Sequence, residues 1–248
     1  MTLHALSLRL AALSVAGVAA PLSAQFASGI GQTTPVAPAP PTEADRLADA
    51  VRRVGRNPRD LAALIEAADL SFRVGDVTAA AALYKRAEQI DATNGRVKAG
   101  IARILVNGEH PGEALRLFDQ AQRYGVPMAP YADDRGFAYD LIGEQERAQR
   151  DYRLALAQGG PDVDRDEVQR RYALSLGISG RRDEALAEID SLLRRSDRGA
   201  WRARAFILAM SGDVAGANKI ATSMMPVGMA TGLAAFFQRL PTLSAVDR

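Results

Sequence analysis

The chain has 248 residues, 48% hydrophobic and 24% charged, the proportions of a globular protein rather than a disordered or fibrous one. Its formal net charge is only +2, and all but three of its 31 basic side chains are Arg, the exceptions being Lys85, Lys98 and Lys219. So near-neutral a balance argues against a dedicated nucleic-acid binder, and the absence of Cys excludes disulfides, leaving core burial alone to hold the fold.

A weakly basic start, the amino terminus and Arg9, precedes an apolar run, LAALSVAGVAA, from Leu10 to Ala20. Pro21 follows, and Leu22-Ser23-Ala24 then places a small residue before Gln25, the order of parts in a secretory signal. The competing readings are a membrane anchor or a buried helix, but a bilayer core takes roughly 20 apolar residues and this run is shorter. Residues 1–24 are therefore expected to be a signal peptide cleaved after Ala24. The mature chain would be periplasmic or secreted, with no direct tie to a membrane. Residues 25–41, QFASGIGQTTPVAPAPP, carry no charge and no periodic apolar pattern, and read as a Pro-rich disordered linker. Gly29-Ile30-Gly31 within it lacks the third glycine and the preceding strand of a dinucleotide loop.

At Thr42 the pattern changes. With Thr42 as N-cap, Ala44, Leu47, Ala48, Val51 and Val54 recur at helical spacing, predicting an N-terminal flanking helix over 42–59. From there to about Leu240 the chain is helical in pattern, broken by short Gly, Asp and Pro punctuation. Asn94-Gly95 and Asn107-Gly108 fall between helical patterns, not between alternating strands.

Ala80, Ala114 and Ala148 recur at an interval of 34 residues. Each carries its neighbours in phase: an aromatic four residues on (Tyr84, Phe118, Tyr152), an Ala three beyond that (Ala87, Ala121, Ala155), and a small residue twelve before (Ala68, Ala102, Gly136). Looser copies follow with Ala173 and Ala185, then Ala205 and Ala217. Gly75, Gly143, Gly180 and Gly212 fall at the turns, where positive φ is cheap only for Gly. Asp76 and Asp213 are placed to cap the helices that follow, and Pro111 to open one.

This period and pattern resemble the tetratricopeptide repeat (TPR) family over about residues 60–225. The resemblance implies an all-α fold, a right-handed α-solenoid of about five helix-turn-helix repeats with N- and C-terminal flanking helices. The array would occupy 60–228, with repeats at about 60–93, 95–128, 129–161, 166–196 and 198–226. Residues 229–248 would form a capping helix and tail over the final apolar edge. In the fourth copy Ile189 and Leu192 stand for the aromatic and the last Ala, and in the fifth Ala221 and Met224 do, departures common in terminal repeats.

The family's first helices line a concave groove. Carried over residue by residue, the groove would present Ile65, Asp69 and Phe72, then Arg103 and Val106, then Asp133, Phe137 and Asp140. Arg170 and Leu174, then Arg202 and Phe206, would complete it. Apolar anchors mixed with both signs of charge suit a peptide or partner helix rather than a nucleic-acid backbone. Phe72 and Phe137 could equally pack against their neighbours. Ile65 and Asp69 stand where a chaperone-type carboxylate clamp has Lys and Asn, so that clamp is not expected.

Enzymatic readings find little support. His110, the one His after the signal, sits in a turn beside Pro111 without the partners that a general base or metal ligand needs. Asp162, Asp164 and Asp166 in PDVDRDE begin like a calcium loop, but Glu167 replaces its Gly and Ala173 its last carboxylate, and an acidic helix start explains them. Arg194, Arg195, Arg198, Arg202 and Arg204 gather around one loop with Glu188, Asp190 and Asp197 nearby, and read as a solvated, partly self-paired surface. No catalysis and no cofactor or metal are expected.

The stretches RRYALSLGISGRRDEALAEI and AMSGDVAGANKIATSMMP resemble the degenerate final repeats of TPR proteins of tight-adherence (Flp-type) pilus assembly. That implies an envelope assembly factor, although those relatives are typically lipoproteins and this chain has no Cys. Two alternatives stand beside it. One is the TPR part of a cell-envelope, peptidoglycan-associated protein whose C-terminal wall-binding domain would be absent here. The other is an accessory subunit of an envelope enzyme, with Asp133, Asp134 and Asp140 as the only candidate carboxylates.

Overall fold

Helix formation begins where Thr42 and Asp45 cap each other. The Thr42 Oγ accepts from the Asp45 N–H at 3.2 Å, and the Asp45 carboxylate accepts from the Thr42 N–H at 2.9 Å. The structure is a computed structural model that describes residues 40–224, 226–245 and 247–248. The expected signal peptide and nearly all of the expected linker lie outside the described residues.

Among the described residues all regular structure is helical. The flanking helix α1 (Glu43–Arg56) leads into five consecutive helix pairs. These are α2 (Leu61–Arg73) with α3 (Val77–Ile90), α4 (Gly95–Asn107) with α5 (Pro111–Arg123), and α6 (Ala132–Leu141) with α7 (Gln145–Gln158). The fourth pair is α8 (Arg165–Ile178) with a second helix broken at Ile189 into α9 (Arg182–Glu188) and α10 (Asp190–Arg194). The fifth is α11 (Arg198–Met210) with α12 (Val214–Met224), and α13 (Val227–Arg239) follows. A 3-10 turn over Ala129–Tyr131 precedes α6, and another over Leu240–Thr242 follows α13.

One turn design joins every pair. After α2, the Asp76 N–H donates to the Ser71 carbonyl at 2.9 Å and the Gly75 N–H to Phe72 at 3.1 Å, and the same two bonds recur at the other four turns. This closure requires a left-handed residue, supplied by Gly75, Gly143, Gly180 and Gly212 at φ between +77° and +90°. In the second pair the residue is Glu109, at φ +59°. Asp76 and Asp213 then cap the following helices, accepting from the N–H groups of Ala79 and Gly216 at 2.9 Å each. Pro111 opens α5.

The phased small residues lie where the paired helices cross. Ala80, Ala114, Ala148, Ala185 and Ala217 are completely buried, and with no side chain beyond a methyl they let the two backbones approach. Tyr84, Phe118 and Tyr152 fill the space toward the next pair, and Ile189 and Leu192 are buried in the fourth. Gly100 marks a tighter approach still: a Cβ there would run into the buried Tyr84 ring. The core follows the chain in clusters over 50–97, 99–138 and 132–240, as in a solenoid whose units contact only their neighbours.

The terminal helices differ from expectation in detail. On α1 the buried stripe is Ala50 and Val54 with Leu47 half-buried, while Ala44, Ala48 and Val51 face solvent. Among the described helices α1 packs chiefly on α2, so only a narrow stripe is covered. Helix α13 lies on α12 and α11 and buries Ala230 and Phe237, leaving Val227, Met229 and Phe236 exposed.

Candidate partner-binding groove

The first helices α2, α4, α6, α8 and α11 touch from one pair to the next, and the second helices make no comparable contact with one another. A stack drawn closer on one side than on the other curves toward that side, so the first helices form the inner wall. The family-derived groove positions are distributed unevenly on this wall.

Ile65 and Val106 are buried, at 4% and 2% exposure, and belong to the core rather than to an accessible surface. Ile65 joins the core cluster over 50–97 and Val106 the one over 99–138. Phe72 and Phe137 are half-buried, and each is covered by a guanidinium from the next first helix. Arg103 lies 4.3 Å from the Phe72 centroid, and Arg171 lies 4.8 Å from that of Phe137. Each arginine also meets carboxylates. Arg103 Nε donates to Asp134 Oδ2 at 2.7 Å, and Arg171 donates to Asp133 Oδ2 and Glu167 Oε1 at 3.0 Å each.

Two further carboxylates are held by the second helices. Asp69 accepts from the Tyr84 hydroxyl and from Arg96 Nη2, the latter at 3.0 Å. Asp140 accepts from the Tyr152 hydroxyl at 2.9 Å and from Ser175 Oγ at 2.7 Å. The phased aromatic is thus Tyr in the two pairs where its hydroxyl meets an inner-wall Asp, and Phe118 in the pair whose groove positions are Arg103 and Val106. Arg170 pairs with Glu167 at 2.9 Å and Asp197 at 3.1 Å. Leu174 packs half-buried on the core, Phe206 meets Phe236 and Phe237 edge-on, and Arg202 is exposed.

Burial dominates the electrostatics. Loss of solvent pushes the Asp133 and Asp140 carboxyls up to about 6. The Arg171 charge only partly offsets this at Asp133, and the Ser175 and Tyr152 hydrogen bonds only partly at Asp140. Desolvation likewise raises the Tyr84 and Tyr152 hydroxyls, which stay protonated as donors. Asp133, Asp134 and Asp140 are each engaged by a cation or by hydroxyls, an arrangement that organises the wall. In the acidic segment, Asp164 caps α8 by accepting from the Glu167 N–H at 3.0 Å. Asp162 pairs with Arg73 at 3.0 Å and Asp166 with Arg195 at 2.9 Å. His110 sits exposed at the start of α5 and makes no side-chain cap.

At the N-terminal end of the wall is a cleft of about 430 Å³, lined among others by Arg46, Glu66, Asp69, Arg73, Arg96 and Tyr131. Arg103 lines it as well, so the family pattern names two of its lining residues, Asp69 and Arg103. Glu66, Asp134 and Arg171 each lie one residue beyond a family groove position, so a wider arc of the helix face would have found them. Arg73 joins Glu43 of α1 to Asp162 of the loop after α7, each at 3.0 Å, a contact with no local sequence signal.

The tetratrico peptide repeat family matches the chain over residues 127–243. Among solved structures the fold is similar to YrrB, a TPR protein with an unusual peptide-binding site. That likeness has 18% identity and a TM-score of 0.52, covering 75% of this chain and 97% of YrrB. It is also similar to PilF of Pseudomonas aeruginosa, with 16% identity and a TM-score of 0.52, covering 78% of this chain and 97% of PilF. No curated protein matches the chain. Over residues 127–243 the chain carries tetratricopeptide repeats, and its described helix pairs form an all-α solenoid of the TPR type.

Proposed function

We propose that the chain is an exported scaffold that holds a peptide or helix of a protein partner along its first-helix wall and assists assembly of a cell-envelope machine. It acts by binding, without catalysis. The observation that carries this reading is the wall itself. Guanidinium-covered Phe72 and Phe137 alternate with paired carboxylates, from the cleft beside Asp69 and Arg96 to Asp140. Its charges are already oriented by one another, so a partner's polar groups meet a pre-organised surface. The peptide-binding site of YrrB, on a similar fold, is consistent with such a use. Export is supported by the apolar run 10–20 and the small residue before Gln25, and a pilus-type setting by the resemblance of 170–189 and 209–226 to tight-adherence assembly repeats.

Capture of partners from an envelope extract tests the wall. The Arg96→Glu/Tyr131→Ala variant changes the cleft while leaving the helix crossings intact, and should recover the wild-type partners poorly. Equal recovery by both would remove the groove reading. Fractionation tests export: the processed chain is expected outside the cytosol, and an unprocessed cytosolic chain would remove that part.

A further inference from the structure

The arginine-rich loop singled out in the sequence divides in the structure. Arg194 pairs with Asp190, Arg195 pairs with Asp166, and Arg204 lies over the Trp201 ring at 5.9 Å. On the inner wall Arg96, Arg103, Arg170 and Arg171 are each matched by a carboxylate. Arg198 and Arg202 are the exceptions: one turn apart on α11, both exposed, they have neither a carboxylate partner nor an aromatic ring under the guanidinium among the described residues. The residues outside the description contain no Asp or Glu that could supply one.

These two arginines border a cavity of about 470 Å³ whose other walls are Met224, Pro226 and Met229. Arg202 and Met224 also belong to an adjoining apolar recess lined by Phe206, Leu233 and Phe237. Met229 is 63% and Phe236 42% exposed, so the apolar surface is open to solvent beside the two cations. Methionine side chains adapt to the shape of an incoming apolar group. A neutral partner covering this surface would strip water from two charges without replacing it, and a basic partner would be repelled. A phosphate backbone would meet the charges but leave the Met-lined cavity unfilled. Carboxylates joined to apolar side chains satisfy both halves.

We infer that the C-terminal end of the first-helix wall is a docking surface for an acidic amphipathic segment of a protein partner. Its apolar side chains enter the Met224–Met229 cavity, and two of its carboxylates, one helical turn apart, meet Arg198 and Arg202. The inference rests on the reading of this wall as a partner-binding groove and names the chemistry of the partner at one end of it.

The test uses the full chain and synthetic helical peptides of roughly 15 residues, long enough to form helix in part. One carries Leu on one face with Glu pairs one turn apart, a second has Lys in place of Glu, and a third has Ser in place of Leu. Titration followed by fluorescence anisotropy should show the Leu/Glu peptide binding, weakening with added salt, and the other two binding at least about tenfold more weakly. Arg198→Glu/Arg202→Glu should weaken the Leu/Glu peptide by about tenfold or more and improve the Leu/Lys peptide. An unchanged far-ultraviolet spectrum and melting temperature would show that the fold is kept. Equal binding of the Glu and Lys peptides, or indifference to the charge reversal, overturns the inference. So does self-association in sedimentation that Met229→Glu abolishes, since a second copy would then be the occupant. If the Arg96→Glu/Tyr131→Ala variant loses its envelope partners while the Leu/Glu peptide fails to bind the wild type, the groove stands and the acidic partner falls. Binding that responds to Arg198 and Arg202, with envelope partners unaffected at Arg96, gives the reverse.

Discussion

The Tyr152 hydroxyl donates to Asp140 Oδ2 at 2.9 Å, tying the second helix of the third pair to its first, and Asp140 Oδ1 accepts from Ser175 of the next pair at 2.7 Å. One carboxylate thus joins three helices in two repeats. Tyr152 is fully buried, so its hydroxyl has no solvent to fall back on. Tyr152→Phe removes one of the donors that Asp140 faces, and should cost about 1–3 kcal/mol in urea unfolding, as for a buried hydrogen bond to a charged group. No loss would mean that Asp140 is held by Ser175 alone.

The same carboxylate governs a pH response. Asp133 and Asp140 titrate at about 6 in the fold against 3.8 ordinarily, so the folded chain binds more protons than the unfolded one between these values. Stability should therefore fall as pH rises from about 4 to 6 and be lowest from these groups above that window. Below it, groups held low in the fold act the other way, such as Asp45 with its hydrogen bonds from Thr42. The melting temperature should rise on acidification from neutrality and then decline in stronger acid. Asp140→Asn should flatten the rise, and a wild-type curve flat between pH 5 and 7 would remove the expectation.

Close helix crossing is tested at two positions. Ala148 is fully buried at the α6–α7 crossing, and Gly100 lies under the Tyr84 ring. Ala148→Leu and Gly100→Ala should each destabilise by about 1–3 kcal/mol through overpacking, even though Ala is the better helix former at position 100. Thermal melts of the two variants check this, and stabilisation by Gly100→Ala would show that propensity prevails over the contact with Tyr84.

Glu109 occupies the left-handed turn position that glycine holds in the other four pairs. Its carboxylate makes no ion pair there among the described residues. Glu109→Gly should relieve the steric penalty of about 1–2 kcal/mol, less the entropy that a glycine adds to the unfolded chain, for a net gain of about 0.5–1 kcal/mol. A chemical denaturation midpoint that falls on substitution would mean that the side chain contributes more than its backbone costs.

Much of the fold is legible in residue order because a solenoid is built from near neighbours. Ala80, Ala114 and Ala148 announce the crossings, Gly75 and Gly143 the turns, and Asp76 and Asp213 the caps, since each acts on residues within its own repeat. The groove is less legible. The consensus positions fall on the first-helix wall at Asp69, Arg103 and Asp140, but they also include Ile65 and Val106, which the packing buries. They omit Glu66, Asp134 and Arg171, which lie a step further round the same helices. The α1 stripe shifted to Ala50 and Val54 for a related reason: a terminal helix packed chiefly on one neighbour buries whatever that neighbour touches.

By itself the amino-acid order determined the helix pairs, their turns and the small-residue crossings, because those depend on local sterics and short-range hydrogen bonds repeated in phase. Only the tertiary structure decided which charges neutralise one another. The pairing of Arg73 with Asp162 and of Arg171 with Asp133 comes from the stacking of the repeats, which brings together side chains far apart in the chain, and Arg198 and Arg202 are left without a carboxylate partner among the described residues. Stacking sets each repeat against its neighbours, so no single window of residues contains those pairings.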